Sequence, residues 1–139
     1  MTAITVYAPM DRELMAQVVR EPRYKRIATI PHVAWPTVGI LVGGYAMWIG
    51  SSILYLQGRL PYLLAFLIAG FGIFWTFTPL HDAVHRSLSR HRGVNDVLGF
   101  FGAFTLLPGI TARIYRYLHL EHHKHTGDVR ADPDDSFVT

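Results

Sequence analysis

Two long stretches without a charged side chain constrain this sequence more than any other feature. No Asp, Glu, Lys or Arg occurs between residues 27 and 58, and none occurs between residues 60 and 80. At about 1.5 Å per helical residue, residues 33–56 and 60–80 are each long enough to cross about 30 Å of hydrocarbon. Only a short polar link, residues 57–59, separates them. The sequence therefore predicts a transmembrane helical hairpin.

The basic residues indicate the orientation of this hairpin. The link carries only Arg59, whereas all other Lys and Arg residues lie in the first thirty residues or after Leu80. Because cytoplasmic loops are enriched in Lys and Arg, we expect residues 1–30 to form a cytoplasmic N-terminal segment and the chain after the hairpin to be cytoplasmic as well. Nucleic-acid binding is not indicated, since the basic residues flank apolar segments and form no patch with stacking aromatics.

A third apolar run, residues 97–110, is too short to cross a bilayer. We expect an interfacial or re-entrant helix there. If this run did cross, His81 and His119 would lie on opposite sides of the membrane and could not share a site. Asn95 and Asp96 stand at the start of the run and are expected to cap its helix.

The composition limits the metal chemistry that is open to the chain. It has no Cys, which excludes a disulfide framework, thiolate zinc sites, Cys-ligated iron–sulfur clusters and thiolate haem within this chain. His, Asp and Glu are then the strong metal ligands that are left. The chain has 8 His residues, and several of them are clustered between residues 119 and 125.

Two histidine motifs follow the hairpin. His81 and His85 are offset by about 40° in a continuing helix, so both rings face one way. His119, His122 and His123 stand at i, i+3 and i+4, within about 100° of arc. Interfacial histidines without a ligand could explain one such motif, but two motifs beside apolar helices indicate a metal site. An all-nitrogen cluster suits iron, copper or zinc better than magnesium or calcium.

The motifs and their order resemble those of the membrane fatty acid desaturase superfamily. The matching segments are His81-Asp-Ala-Val-His85, Arg86-Ser-Leu-Ser-Arg90, Asn95-Asp-Val-Leu-Gly99, His119-Leu-Glu-His122-His123-Lys-His-Thr-Gly127 and Asp132-Pro-Asp134. The resemblance covers about residues 30–135. It implies that residues 31–139 are a partial desaturase domain, the N-terminal portion with two of the family's three histidine boxes.

The resemblance also implies a cofactor and partners. It implies two iron ions with O₂ as co-substrate, and five iron ligands: His81, His85, His119, His122 and His123. The chain has neither Cys nor a Rossmann glycine pattern, so electrons are expected from a separate ferredoxin, rubredoxin or cytochrome b5 type donor with its reductase. The other expected partners are a membrane lipid or acyl substrate and a C-terminal half that carries the third box.

Further polar residues near the motifs are candidates for a supporting role. Metal-bound imidazoles usually donate their second nitrogen to a carboxylate, which fixes the ring direction. The carboxylate candidates are Asp82, Glu121, Asp128, Asp132 and Asp134. His125 lies about 120° round the helix from His119, and we expect it beside the site or in solvent.

The expected fold is all-α and integral to the membrane: a transmembrane helical hairpin, an interfacial or re-entrant helix and cytoplasmic His-box helices. Three functions stay open. The foremost is O₂-dependent di-iron oxidation of unactivated C–H bonds in a lipid, as fatty acyl desaturation by the complete enzyme. A hydroxylase or ketolase acting on a lipid, alkane or carotenoid would use the same centre. A non-catalytic membrane protein that binds metal or haem is the third.

Overall fold

The computed structural model describes residues 12–27 and 29–134. Every regular element in these ranges is an α-helix, as expected for an all-α chain. The chain divides into two compact units, Met1–Ile30 and Pro31–Thr139. Residues 1–11 and 28 of the predicted N-terminal segment, and residues 135–139 of the predicted partial domain, lie outside the described part.

The first unit contains two short helices, α1 (Arg12–Arg20) and α2 (Pro22–Ile27). The backbone N–H of Glu21 donates to the carbonyl of Val18 over 3.1 Å, which closes the last turn of α1. Pro22 ends this helix, because a proline ring disfavours helical backbone in the residue before it. The same proline begins α2, where its missing N–H costs nothing.

The second unit begins with the predicted hairpin. Helix α3 (Trp35–Leu56) is followed by α4 (Tyr62–Trp75) and α5 (Phe77–Val84). Two helical stretches, Trp35–Leu56 and Tyr62–Val84, are long and apolar enough to cross a membrane. The predicted spans, residues 33–56 and 60–80, match these stretches within two residues at three of their four ends. The fourth end extends to Val84 because the helix continues into the first histidine motif.

A break at Thr76 separates α4 from α5 and has a local cause. Pro79 lies in the first turn of α5 and has no N–H to donate to the carbonyl of Trp75, while its ring crowds that carbonyl. The hydroxyl of Thr76 donates to the carbonyl of Ile73 over 2.7 Å, and it lies 2.8 Å from the hydroxyl of Thr105. Thr76 is 1% exposed, so these bonds satisfy a buried hydroxyl at the break.

Helices α3 and α4 are in close contact at a pair of glycines. A Cβ atom on Gly44 would lie 2.5 Å from the carbonyl oxygen of Gly72, and one on Gly72 would lie 2.6 Å from the carbonyl oxygen of Gly44. Such distances are too short for any side chain, so the two backbones are in direct contact. Small residues at helix contacts are typical of membrane hairpins.

Helix α6 (Arg92–Leu106) begins earlier than the third apolar run. The prediction that Asn95 and Asp96 cap this helix is wrong, because His91 is the residue before its first turn and no side chain caps it. Asn95 is instead 2% exposed inside the helix. Its amide donates to the carbonyl of His91 over 2.9 Å, and its carbonyl oxygen accepts from the backbone N–H of Ser89 over 3.2 Å. Asn95 thus holds the loop between α5 and α6.

Helix α7 (Ala112–His125) is capped by Thr111, whose hydroxyl accepts from the backbone N–H of Ile114 over 3.2 Å. It packs on a small core that is formed by α5 and α6. Leu80, Val84 and Ala103 are buried there at 0%, 3% and 2% exposure, with Ala112 and Tyr115 of α7 against them. This core sets α7 beside α5, so that the second histidine motif meets the first.

Candidate metal centre

The first histidine motif lies at the end of α5. His81 is in the last turn and His85 follows it, and the backbone N–H of His85 donates to the carbonyl of His81 over 3.2 Å. The helical turn that contains His85 ends at Arg86, which has a positive φ of 58°. The two imidazoles lie side by side with ring centroids 4.6 Å apart, as the i, i+4 spacing predicts.

The second motif lies in the last turns of α7. His119 and His123 are one turn apart, with ring centroids 4.6 Å apart. The ring of His122 is farther round the helix, 6.3 Å from the ring of His119. Tyr115, one turn before His119, stacks on the His119 imidazole at 5.4 Å and 18°. Tyr115 was not among the residues expected at the site, although its i, i+4 spacing from His119 would have indicated the contact.

The two motifs converge on a cluster of four imidazoles, which we call the four-His cluster: His81, His85, His119 and His123. One ring nitrogen of each lies within 4.8 Å of those of the other three. The Nε2 atom of His119 is 3.0 Å from Nε2 of His85 and 3.1 Å from Nε2 of His123. The His81 and His119 rings are 4.9 Å apart. The predicted convergence of α5 and α7 is therefore present.

Hydrogen bonding alone accounts poorly for this arrangement. A neutral imidazole nitrogen is either one donor or one acceptor, directed along one line in the ring plane. Nε2 of His119 has two neighbours at hydrogen-bond distance, and both contacts cannot be linear bonds. A cation bound between these rings would accept one lone pair from each of the three Nε2 atoms, those of His85, His119 and His123. With metal–nitrogen bonds of about 2.1 Å, adjacent ligand atoms lie about 3.0 Å apart in an octahedron and about 3.4 Å apart in a tetrahedron.

Two imidazoles of the cluster, those of His85 and His119, are held in the form that binds metals. Burial, followed by the neighbouring charges of His123, His81, His85 and His122, lowers the pKa of His119 from 6.5 to about 4. Burial likewise lowers the pKa of His85, helped by His81, His123 and Arg116 and opposed by Asp82. Both rings are therefore neutral near pH 7, with lone pairs available to a cation.

His122 lies outside the four-His cluster and is held by two acidic residues. Its Nδ1–H donates to Oδ1 of Asp132 over 2.8 Å and lies 3.3 Å from Oδ2 of Asp134. These carboxylates come from the turn after α7, which Gly127 opens with a φ of 83°. With Nδ1 engaged in this way, Nε2 is the nitrogen that His122 could offer to a metal.

Asp132 is the most firmly held of these carboxylates, with 3% exposure. Burial acts to raise the pKa of Asp132, but hydrogen bonds from His122 and from the backbone N–H groups of Asp134 and Gly127 outweigh it and place the pKa below its usual value. The two backbone bonds measure 3.0 Å from Asp134 and 3.2 Å from Gly127. Asp132 is therefore an ionised acceptor in a fixed position beside His122.

The other candidate supporting residues have different neighbours. Asp82 lies 3.8 Å from Nδ1 of His81 and accepts from the hydroxyl of Thr37 over 3.3 Å. Glu121 pairs with Lys124 and lies 3.7 Å from Nε2 of His125. Asp128 accepts from the backbone N–H of Arg130 over 3.0 Å.

These contacts separate the candidates into two groups. Asp82, Asp132 and Asp134 lie beside predicted ligands, whereas Glu121, Asp128 and His125 interact with other residues. The backbone of Asp128 still matters locally, since its carbonyl accepts from the N–H groups of Ala131 and Asp132.

Comparison with known proteins indicates the same family that the histidine motifs resemble. A family model described as "Fatty acid desaturase" matches residues 57–137. The chain is 44% identical over 73 residues to a beta-carotene 4-ketolase of Protosiphon botryoides, covering 52% of this chain and 19% of that protein. It is 33% identical over 101 residues to an sn-1 oleoyl-lipid 12-desaturase of Synechocystis sp., covering 71% of this chain and 27% of that protein.

A third relative is matched over most of the chain. An omega-6 fatty acid desaturase of Glycine max is 29% identical over 128 residues, covering 89% of this chain and 28% of that protein. The chain thus spans less than a third of the length of each of these three relatives. No solved structure matches it. Because the family model covers both histidine motifs and more than half of the sequence, the chain belongs to the fatty acid desaturase family.

Proposed function

We propose that the second unit is integral to a membrane, with α3 and the α4–α5 stretch as its two crossings. The support is the outward-facing surface of these helices. Large apolar side chains there are exposed to an extent that water would penalise, with Leu56 at 81%, Trp35 at 72%, Leu63 at 66% and Phe74 at 64%. Large apolar side chains exposed in such number along two helices are unusual on a soluble monomer and ordinary against lipid.

We place both ends of the chain in the cytoplasm, with the link between α3 and α4 on the opposite side. The distribution of Lys and Arg supports this orientation. Helix α6 has 15 residues and at about 1.5 Å each is shorter than the hydrocarbon core. An interfacial or re-entrant α6 keeps α5 and α7 on one side, as the contact between His81 and His119 requires.

We propose that the four-His cluster and His122 hold iron, and that residues 31–139 are part of a desaturase domain. The observation that carries this proposal is that Nε2 of His119 lies 3.0 Å and 3.1 Å from Nε2 of His85 and His123, the spacing of neighbouring nitrogen ligands on one metal ion. Bound iron would supply the activation of O₂ that an unactivated C–H bond requires. The protein's part is to supply neutral imidazoles, to fix their directions and to present a lipid beside them.

A haem site fits the cluster less well. Two axial imidazole nitrogens of a haem lie on opposite sides of its iron, about 4 Å apart at bonds of about 2 Å. The Nε2 atoms of His85 and His119 are 3.0 Å apart, which leaves no room for a porphyrin plane between them.

The five imidazoles cannot fill the positions of two octahedral ions. We propose that the other ligands come from a third histidine box in a longer chain, since the matched relatives are several times longer. Sequencing the gene past the codon for Thr139 tests this proposal. An open frame with two further apolar spans and an HxxHH motif is expected, and a stop codon directly after Thr139 would contradict it.

The function that we propose is O₂-dependent oxidation of a C–H bond in a membrane lipid, with desaturation of an acyl chain as the first candidate. The match over 89% of the chain to an omega-6 fatty acid desaturase supports it. Carotenoid ketolation is the second candidate, because the beta-carotene 4-ketolase of Protosiphon botryoides has the higher identity, 44%. Electrons would come from a ferredoxin, rubredoxin or cytochrome b5 type donor, the kind of partner that membership of the desaturase family implies.

Product analysis separates these two candidates. The complete gene, with the region that would encode the third box, is expressed in cells that contain both saturated acyl lipids and β-carotene, and it should give a product that is absent with a His119→Ala variant. An acyl lipid that has lost two hydrogens indicates a desaturase, and a carotenoid that has gained a carbonyl oxygen indicates a ketolase. Identical lipid profiles for the wild type and the variant would contradict the oxidase proposal.

A further inference from the structure

A cleft between α5, α6 and α7 is lined by both apolar and charged side chains. It measures about 350 Å³, within the usual range for ligand pockets. Ala83 and Val84 of α5 form part of its wall, and Ala83 is about 200° round the helix from His81. Arg113 and Arg116 of α7 line the same cleft. None of these four residues is a proposed metal ligand.

Two guanidinium groups near this cleft have an unsatisfied nitrogen. Among the residues that the structure describes, the buried side-chain nitrogen and oxygen atoms without a hydrogen-bond partner are Nη1 of Arg86 and Nη1 of Arg116. A buried donor without a partner costs free energy, and native proteins rarely leave one. The two groups are close enough that Arg86, after burial, lowers the pKa of Arg116. Two positive charges this close together repel each other, and a bound anion would offset that repulsion.

The position of Arg86 follows from the way helix α5 ends. Arg86 has a φ of 58°, and its backbone N–H donates to the carbonyl of Ala83 while that of Ser87 donates to the carbonyl of Asp82, each over 3.0 Å. These two bonds are a common helix C-terminus with one left-handed residue. The Arg86 guanidinium then lies 4.0 Å from Asp96, which lines the cleft.

The charged side chains around the cleft have a net positive charge. Asp96 is the nearby carboxylate, with Oδ1 4.0 Å from Nη2 of Arg86. It offsets one of three positive charges, those of Arg86, Arg113 and Arg116. The first turn of α7 also lines the cleft through Thr111, and a helix N-terminus adds a further positive field. A phosphate group suits this environment, because its oxygens can accept from two planar guanidinium groups at once.

We propose that Arg86 and Arg116, with Arg113 beside them, bind a phosphate group in this cleft. Its source is either the headgroup of a membrane lipid or free phosphate. The site goes beyond the proposed oxidase function and needs no metal, so it can be tested whether or not iron is bound.

Lipid binding by the full chain in an uncharged, phosphate-free maltoside detergent tests this proposal. The probes are phosphatidic acid and diacylglycerol with the same acyl chains, and dissociation constants come from native mass spectrometry. We expect the wild type to prefer phosphatidic acid by about tenfold or more. Arg86→Gln and Arg116→Gln should each remove most of this preference. Arg59→Gln, in the link between α3 and α4, removes the same charge elsewhere and should keep it.

Two further measurements complete this test. Arg116→Lys keeps the charge without the planar fork, and an intermediate preference is expected; circular dichroism checks that each variant is folded. If inorganic phosphate displaces the lipid with the same dependence on Arg116, the site takes free phosphate; if a large excess does not displace it, the source is the headgroup. The proposal is overturned if the wild type binds both lipids equally, or if folded Arg86→Gln and Arg116→Gln variants keep the full preference.

Discussion

The metal centre depends more on His119 than on any other residue. Its ring nitrogen is the common neighbour of His85 and His123, and Tyr115 stacks on its face. The i, i+4 spacings predict which rings face the same way, because they are fixed by helix geometry alone. The spacings could not predict that His122 pairs with Asp132, since this contact depends on the path of the turn after α7.

The low pKa of His119 gives a prediction at this scale. In the folded apo protein, its imidazole should take up a proton at about pH 4, whereas in the unfolded chain it should do so near 6.5. Between these values the unfolded state binds more protons, so the apo fold loses stability as the pH falls. Nuclear magnetic resonance of ¹³C-labelled histidine can follow the ring. A His119 midpoint near 6.5 in the folded protein would contradict the arrangement.

The carboxylate of Asp132 gives a second prediction. Asp132→Asn removes the charged acceptor of the Nδ1–H group of His122, and supporting carboxylates of this kind are worth about 10- to 100-fold in metal affinity. Titration with Co²⁺, followed by its visible absorption, should show a loss in this range. Asp134→Asn is the matched control, because its side chain is 62% exposed, and it should lose less. Equal affinities for the two variants and the wild type would show that Asp132 does not position a ligand.

Among the elements, the helical type and the two membrane-length stretches were predictable, but the number of helices and several of their boundaries were not. The lengths of the two stretches without charged residues predict α3 and α4, because a membrane crossing has a fixed minimum length. The beginning of α6 could not be found in this way, since its first turn is polar and Asn95 is buried by the loop before it and not by an apolar stripe. The break at Thr76 is visible in hindsight from Pro79.

The contact between α3 and α4 gives a prediction at the element scale. Gly44→Ala places a methyl group 2.5 Å from the carbonyl oxygen of Gly72 and should lower the free energy of unfolding by about 1–3 kcal/mol, as overpacking does. Gly50→Ala is the control, because a Cβ there meets nothing within 4 Å, and it should be neutral or stabilising. Unfolding in mixed detergent micelles measures both variants. Similar values for the two would show that the helices are not in backbone contact.

For the molecule as a whole, the orientation in the membrane can be tested directly because the chain has no Cys. Single cysteines at Gln57, in the link, and at Val129, after α7, report on opposite sides in the proposed topology. Val129 is 74% exposed. A membrane-impermeant maleimide added to intact cells should label Gln57→Cys, and it should label Val129→Cys only after lysis. Labelling of both from outside would contradict the proposed hairpin.

The central claim is that the imidazoles of α5 and α7 form a site for iron, and the iron content of the purified protein, expressed from the complete gene, tests it most directly. After anaerobic loading with Fe²⁺ and removal of free metal, the wild type should retain iron. His119→Ala should lose nearly all of it, because that substitution removes the shared ligand. His91→Ala, whose ring lies beside that of His32 at 6.1 Å and outside the cluster, should retain iron as the wild type does. Equal iron in a folded His119→Ala variant and in the wild type would contradict the account.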